Sequence, residues 1–91
     1  MAKSHELKTW TEYYDAIVEP DILKRKTIEI RIDDRNYEVG DLLILKDYNT
    51  DYTGRECWRL VTHCLRDTVF IREGYVAMSI CEINPKTMFG I

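Results

Sequence analysis

Lys24-Arg25-Lys26-Thr27-Ile28-Glu29-Ile30-Arg31-Ile32-Asp33 is the stretch around which the rest of this chain is arranged. Ile28, Ile30 and Ile32 alternate with Thr27, Glu29, Arg31 and Asp33, the period-two pattern of a half-buried strand. The isoleucines are expected to face a core, which puts Glu29 and Arg31 side by side on the opposite face. Lys26 shares the isoleucines' parity, but it stands where the strand begins, and its long stem can curl around the rim. A carboxylate, a guanidinium and an ammonium thus fall within two strand repeats, at most about 14 Å. The plain alternative is a solvated strand face with one weak ion pair.

The chain has 91 residues, of which 45% are hydrophobic and 32% charged, a balance that fits one domain spanning 1–91 with no room for a second core. Its ordered part is expected over about 5–83, with 84–91 as a loosely held tail. No apolar run approaches membrane-spanning length, and Met1-Ala2-Lys3-Ser4-His5-Glu6 lacks the apolar stretch of a secretion signal. The expectation is a cytoplasmic protein with no membrane partner. Cys57, Cys64 and Cys81 form no C-x-x-C pair and read as small buried apolar residues, without a disulfide framework, metal site or cofactor.

The formal charge of −3 weighs against broad electrostatic gripping of nucleic acid. It leaves room for a local patch, because Lys24, Arg25, Lys26, Arg31 and Arg35 lie within twelve residues while most acids sit elsewhere. One basic cleft on an acidic body is the expected arrangement.

Around the central strand the pattern predicts a short opening strand at His5–Thr9. An amphipathic helix of two to three turns follows over Trp10–Glu19, ended by Pro20. Trp10, Tyr13, Tyr14, Ile17 and Val18 recur at helical spacing and read first as core packing, with a base-stacking platform as the alternative. Asp33–Asn36 is turn chemistry, and Gly40 suits a tight bend before Leu42–Leu45, which is apolar on both parities and so expected to be covered on both faces. Asn49–Gly54 reads as an exposed loop and Arg55–Leu65 as a long strand. Arg66–Gly74 is a connector, and Tyr75–Ile83 is the last strand, with Val76, Met78 and Ile80 inward and Asn84-Pro85 breaking it. A closed or nearly closed barrel with a helix against it covers such strands economically.

No spacing of His5, His63 and the cysteines matches a zinc pattern, and thiols inside strands are usually inert. The four glycines are scattered, which excludes a phosphate-cradling glycine loop. The informative group is Lys8, Lys26, Glu29, Arg31 and Arg35. Guanidinium forks suit phosphate or base edges, and a carboxylate accepts from an exocyclic amine. Tyr48 or Tyr52 is placed to stack a base at a cleft rim, with packing or loop exposure as the plain alternative.

Lys26-Thr27-Ile28-Glu29-Ile30-Arg31, then Asp34-Arg35, then Val39-Gly40-Asp41 resembles the ASCH superfamily, with its K-x-x-E-x-R signature ahead of a V-G-D turn. His5-Glu6-Leu7-Lys8, Tyr52-Thr53-Gly54-Arg55 and Glu73-Gly74-Tyr75-Val76 extend the likeness to a subgroup of short bacterial and phage proteins, so that it covers residues 5–83. The resemblance implies an α+β, mainly β fold: a PUA-like small barrel of about five to six strands with one N-terminal amphipathic helix packed against it. It also implies an RNA- or nucleotide-binding cleft where helix meets barrel, lined by Lys26, Glu29 and Arg31; Lys8, Asp34, Arg35 and Tyr52 complete the candidate set.

Some similar proteins hydrolyse the acetyl amide of a modified cytidine, with a threonine where this chain has Glu29 and a later glutamate. Here the threonine is absent and no later glutamate is assigned, so that mechanism does not carry over intact. Lys24 stands where a glycine is usual. Three readings follow: an RNA- or nucleotide-binding module; a hydrolase acting on a modified nucleoside through Lys26 and Glu29; and a protein-interaction or regulatory domain in which Glu29 and Arg31 form a structural pair.

Overall fold

The computed structural model describes residues 2–83. The expected strand break at Asn84-Pro85 and the tail 84–91 lie outside them. Among the described residues the order is β1 (Ser4–Trp10), α1 (Thr11–Ile17), β2 (Ile28–Ile32), β3 (Leu42–Asn49), β4 (Asp51–Leu65) and β5 (Tyr75–Glu82). The fold is mainly β. One sheet runs in the order β1-β3-β4-β5-β2, with β1 parallel to β3 and the other neighbours antiparallel. It curls into a half-barrel around Leu7, Ile17, Tyr37, Leu43, Leu45, Val61, Val76, Met78 and Ile80.

β1 and β2 are the two edges, and arginine side chains link them where no backbone ladder does. Arg31 of β2 donates from Nη1 to the Lys8 carbonyl (3.0 Å), and Arg35 donates from Nη1 to the Glu6 carbonyl (3.1 Å). Such cross-links satisfy edge carbonyls that would otherwise invite another strand. The expected closed or nearly closed barrel is therefore a half-barrel, with guanidinium groups bridging its open seam.

The strand at Ile28–Ile32 is present, yet its faces are the reverse of the expected ones. Glu29 is 4% exposed, whereas Ile28, Ile30 and Ile32 are 46%, 58% and 58% exposed. Alternation reveals the period of a strand but not which parity turns inward; that choice normally follows the apolar set. Here two cations neutralise the inward carboxylate, and the isoleucines are left exposed, Ile28 and Ile30 beside the hollow that Glu29 also lines. On β5, Val76, Met78 and Ile80 are buried as the pattern predicts.

β3 is buried on one parity, Leu43, Leu45 and Asp47, and half-covered on the other, so its second face is not sealed. The expected loop at Asn49–Gly54 is instead a tight reversal at Thr50 (φ 61°), and Asp51–Gly54 belong to β4. Gly54 (φ 91°) lets β4 bulge where its register with β3 skips between Lys46 and Tyr48.

The helix is shorter than predicted and buries only Tyr14 and Ile17. Trp10, Tyr13 and Val18 of the aromatic–apolar stripe remain exposed. Seven residues make too short a helix to persist by themselves. This one is pinned at its start by Thr11, whose hydroxyl donates to Asp47 Oδ1 (2.6 Å). At its end Arg59 Nη2 donates to the Ile17 carbonyl (3.2 Å), and the Lys26 amide donates to the Ala16 carbonyl (2.9 Å). That last bond hangs the segment carrying Lys26 directly from α1.

The Val39-Gly40-Asp41 turn does the same for β1. Gly40 (φ 94°) bends the chain, and the buried Asp41 carboxylate accepts from the Lys3 amide (3.1 Å) and the Glu38 amide (3.0 Å) and lies 2.8 Å from His5 Nε2. Burial pushes the Asp41 carboxyl upward, but the His5 and backbone partners outweigh it and hold it below 3.8. Cys57 and Cys64 pack half-buried beside the core, and burial raises both thiols, which makes them poor nucleophiles. Cys81, expected inside, is exposed. No helix of the described residues is long and apolar enough to cross a membrane.

Candidate functional site

At the seam between β1 and β2, beside the first turn of α1, the structure has a cleft of about 430 Å³. Its floor is Glu29. Lys26 Nζ donates to Glu29 Oε1 (2.5 Å) and also to the Ile28 carbonyl, while Arg31 Nε donates to Oε2 (2.8 Å). Arg31 spends its remaining nitrogens on β1, reaching the Lys8 carbonyl and the Thr9 hydroxyl (3.2 Å). A lone carboxylate at this depth would cost several kcal/mol. The lysine on one oxygen and the arginine on the other make its burial tolerable.

The strand explains the arrangement. Glu29 and Arg31 are two residues apart and share a face, as the sequence predicts, and Lys26 reaches the same carboxylate from just before the strand. Lys26 and Arg31 side chains keep 26% and 24% of their surface exposed against 5% for Glu29. The fixed carboxylate therefore lies beneath two partly solvated cations, and the three together carry one net positive charge.

Trp10 and Tyr13 line the same cleft, each about half exposed (55% and 48%). The sequence favoured core packing for both over a base-stacking platform. The signal that distinguishes them is positional: Trp10 caps β1 on its outward parity, and Tyr13 leads α1 on the side away from Tyr14 and Ile17.

The other candidates scatter. Lys8 lines the cleft, but its ammonium sits over the Tyr48 ring, 4.4 Å from the centroid. Arg35 is engaged with the Glu6 carbonyl and Asp34 is exposed, paired with Arg35 only loosely at 3.9 Å; neither lines the cleft. Tyr52 stands on the outer face of the sheet and lines a different hollow. Of the basic cluster, Arg25 is diverted to the Glu19 and Pro20 carbonyls and to Glu82 (3.2 Å). The positive character of the cleft thus comes from Lys26 and Arg31, with Lys8 at its β1 side.

A larger hollow of about 630 Å³ lies at the opposite end of β1, where Leu42, Trp58, Leu60 and Ile83 contribute its apolar surface. Its charged lining residues do not converge among the described residues: Lys3 donates to the Asn36 carbonyl, Arg59 to the Trp58 and Ile17 carbonyls, and Glu82 pairs with Arg25. The seam cleft combines aromatic walls with a few fixed polar groups, as ligand sites generally do.

A mainly β half-barrel with a charged seam cleft under one short helix is the class of domain these residues define. By sequence comparison the chain belongs to the family described as a domain of unknown function, DUF3850, whose model matches residues 4–80. It is also 41% identical over 91 residues to an uncharacterized 12.9 kDa protein from the GpA 3' region of Escherichia phage P2; the match covers 97% of this chain and 79% of that protein.

Proposed function

We propose that the chain is an ASCH-type, PUA-like module that binds single-stranded RNA or a nucleotide-like ligand in the seam cleft. The observation that carries this reading is the buried Glu29 carboxylate, held between Lys26 and Arg31 at the base of a hollow walled by Trp10 and Tyr13. A nucleobase stacks on an aromatic wall, its exocyclic amine donates to a fixed carboxylate, and its phosphate lies against the exposed sides of the lysine and arginine. The cleft has the volume of a small-ligand site. The formal charge of −3 favours a short or specific single strand over duplex, which is gripped mainly through its phosphates.

The test is titration of the purified protein with a panel of mononucleotides and short RNAs at two salt concentrations. Salt-sensitive binding that Lys26→Ala or Glu29→Gln weakens at least tenfold, in protein that stays folded, supports the reading. No binding across the panel defeats it.

A second reading, a hydrolase of a modified nucleoside, draws on the 2.5 Å contact between Lys26 and Glu29. The two form an ammonium–carboxylate couple that can pass a proton to or from water at the cleft floor. Incubation with acylated nucleosides, followed by ultraviolet absorbance, tests it; no turnover removes it.

A further inference from the structure

The outer face of the sheet carries a row of three aromatic rings that begins at the cleft. Trp10 on β1 pairs in register with Tyr48 on β3, and Tyr48 with Tyr52 on β4. The rings meet edge to face, with centroids 5.4 Å apart at 75° and 5.1 Å apart at 80°. Trp10 and Tyr52, at the two ends, are 55% and 54% exposed. Exposed aromatic side chains joined in one contiguous row, unlike singly scattered apolar ones, mark a candidate contact surface.

The row joins two hollows. Trp10 lines the seam cleft, and Tyr52 lines a second concavity of about 420 Å³ that also includes Lys46 and Arg55. Lys8 lines both. Its ammonium lies 4.4 Å from the Tyr48 centroid and 5.9 Å from that of Trp10. Among the described residues Lys8 has no carboxylate partner, unlike Lys46, which Glu6 engages at 2.7 Å, and Arg55, which Asp15 and Asp47 engage. A cation seated on aromatic faces and free of an acid partner is suited to a phosphate that lies between two stacked bases.

We propose that the partner is a single-stranded RNA segment of about three nucleotides, one base in the seam cleft and about two laid along the Trp10–Tyr48–Tyr52 row, with Lys8 meeting the phosphate between the two hollows. This rests on the nucleotide-binding reading of the cleft and extends it along the outer face. The row crosses two interstrand steps, about 10 Å, which gives room beyond a single nucleotide. Stacking of this kind needs splayed bases, so a duplex is a poor occupant.

The experiment is isothermal titration of the whole chain with mono-, di-, tri- and hexaribonucleotides of one sequence. Affinity is expected to rise by about thirtyfold or more from mononucleotide to trinucleotide and then level off, because each of the two added bases contributes about 1–3 kcal/mol of stacking. Tyr52→Ala, and Tyr52→Leu should the alanine variant unfold, is expected to shrink the trinucleotide-to-mononucleotide affinity ratio by about fivefold or more. Lys8→Ala is expected to lower the salt slope of trinucleotide binding by about 0.7. A mononucleotide that binds as tightly as the trinucleotide overturns the extended track while leaving the cleft reading standing, and so does a length dependence that the Tyr52 variants do not change. Absence of binding at every length overturns both.

Discussion

Arg31 on β2 donates from Nη1 to the carbonyl of Lys8 on β1, 3.0 Å away, across an edge-to-edge gap that no backbone ladder closes. The same guanidinium holds Glu29 Oε2 at 2.8 Å. One side chain therefore both seals the half-barrel and fixes the carboxylate at the base of the cleft. On this geometry the contact that holds the seam also shapes the cleft beside it.

Arg31→Ala is expected to destabilise the fold by about 3–5 kcal/mol, since it leaves Glu29 buried with half its compensation and frees the β1 edge. Arg31→Lys keeps the charge but not the fork, and is expected to recover less than half of that loss. Urea unfolding of the three proteins measures both. A loss below about 1 kcal/mol for the alanine variant means that the seam is closed by something else.

Glu29→Gln separates the roles. The amide keeps the shape but loses the charge that holds Lys26 and Arg31, at an expected cost of about 1–3 kcal/mol. Because the cations lose their anchor, nucleotide affinity is expected to fall by more than stability does. Stability loss alone, with ligand affinity intact, favours a purely structural triad.

Tyr13→Ala tests the aromatic wall. Tyr13 is about half exposed and outside the core, so unfolding free energy is expected to move by no more than about 0.5 kcal/mol. Loss of a stacking surface is expected to weaken binding by about 1–3 kcal/mol. Paired binding and denaturation curves give the two numbers on one sample.

Acid stability reports on the two buried aspartates. Asp41 is held low by His5 and two backbone amides that outweigh its burial. Asp47 is held low first by the Thr11 hydroxyl against its burial, then by Thr53 and Arg55. Both carboxyls have folded values below 3.8, so the unfolded chain takes up protons first as acid is added. Their contribution is therefore complete above that value and lost as pH falls through the folded ones. The unfolding midpoint is expected to drop below about pH 4, and Asp41→Asn or Asp47→Asn to flatten that limb while lowering stability at neutral pH.

Much of the architecture was legible in the residues. Val76, Met78 and Ile80 announced β5 and its inward face, Gly40 its bend, and the Ile28–Ile32 alternation a strand. What failed there was the sign of β2. Apolar parity predicts the inward face only when no competing group stabilises a buried charge, and here Lys26 and Arg31 do so. The helix misled for a related reason. Five residues at helical spacing looked like one core stripe, but seven residues of helix against a curled sheet can bury only Tyr14 and Ile17.

The convergence of Lys26, Glu29 and Arg31 was readable because all three are local in sequence. Trp10 and Tyr13 join them through the β1–α1 junction, a long-range placement that no spacing encodes. Arg35 and Tyr52 were drawn elsewhere by partners, the Glu6 carbonyl and the Tyr48 ring, that only the sheet order brings near.

The most direct measurement is amide chemical-shift mapping of the isotope-labelled protein titrated with a short single-stranded RNA and with a mononucleotide. The account predicts saturable shifts centred on Trp10, Tyr13, Lys26, Glu29 and Arg31. Shifts confined to the hollow around Leu42, Trp58 and Leu60, or no shifts at millimolar ligand, would contradict it.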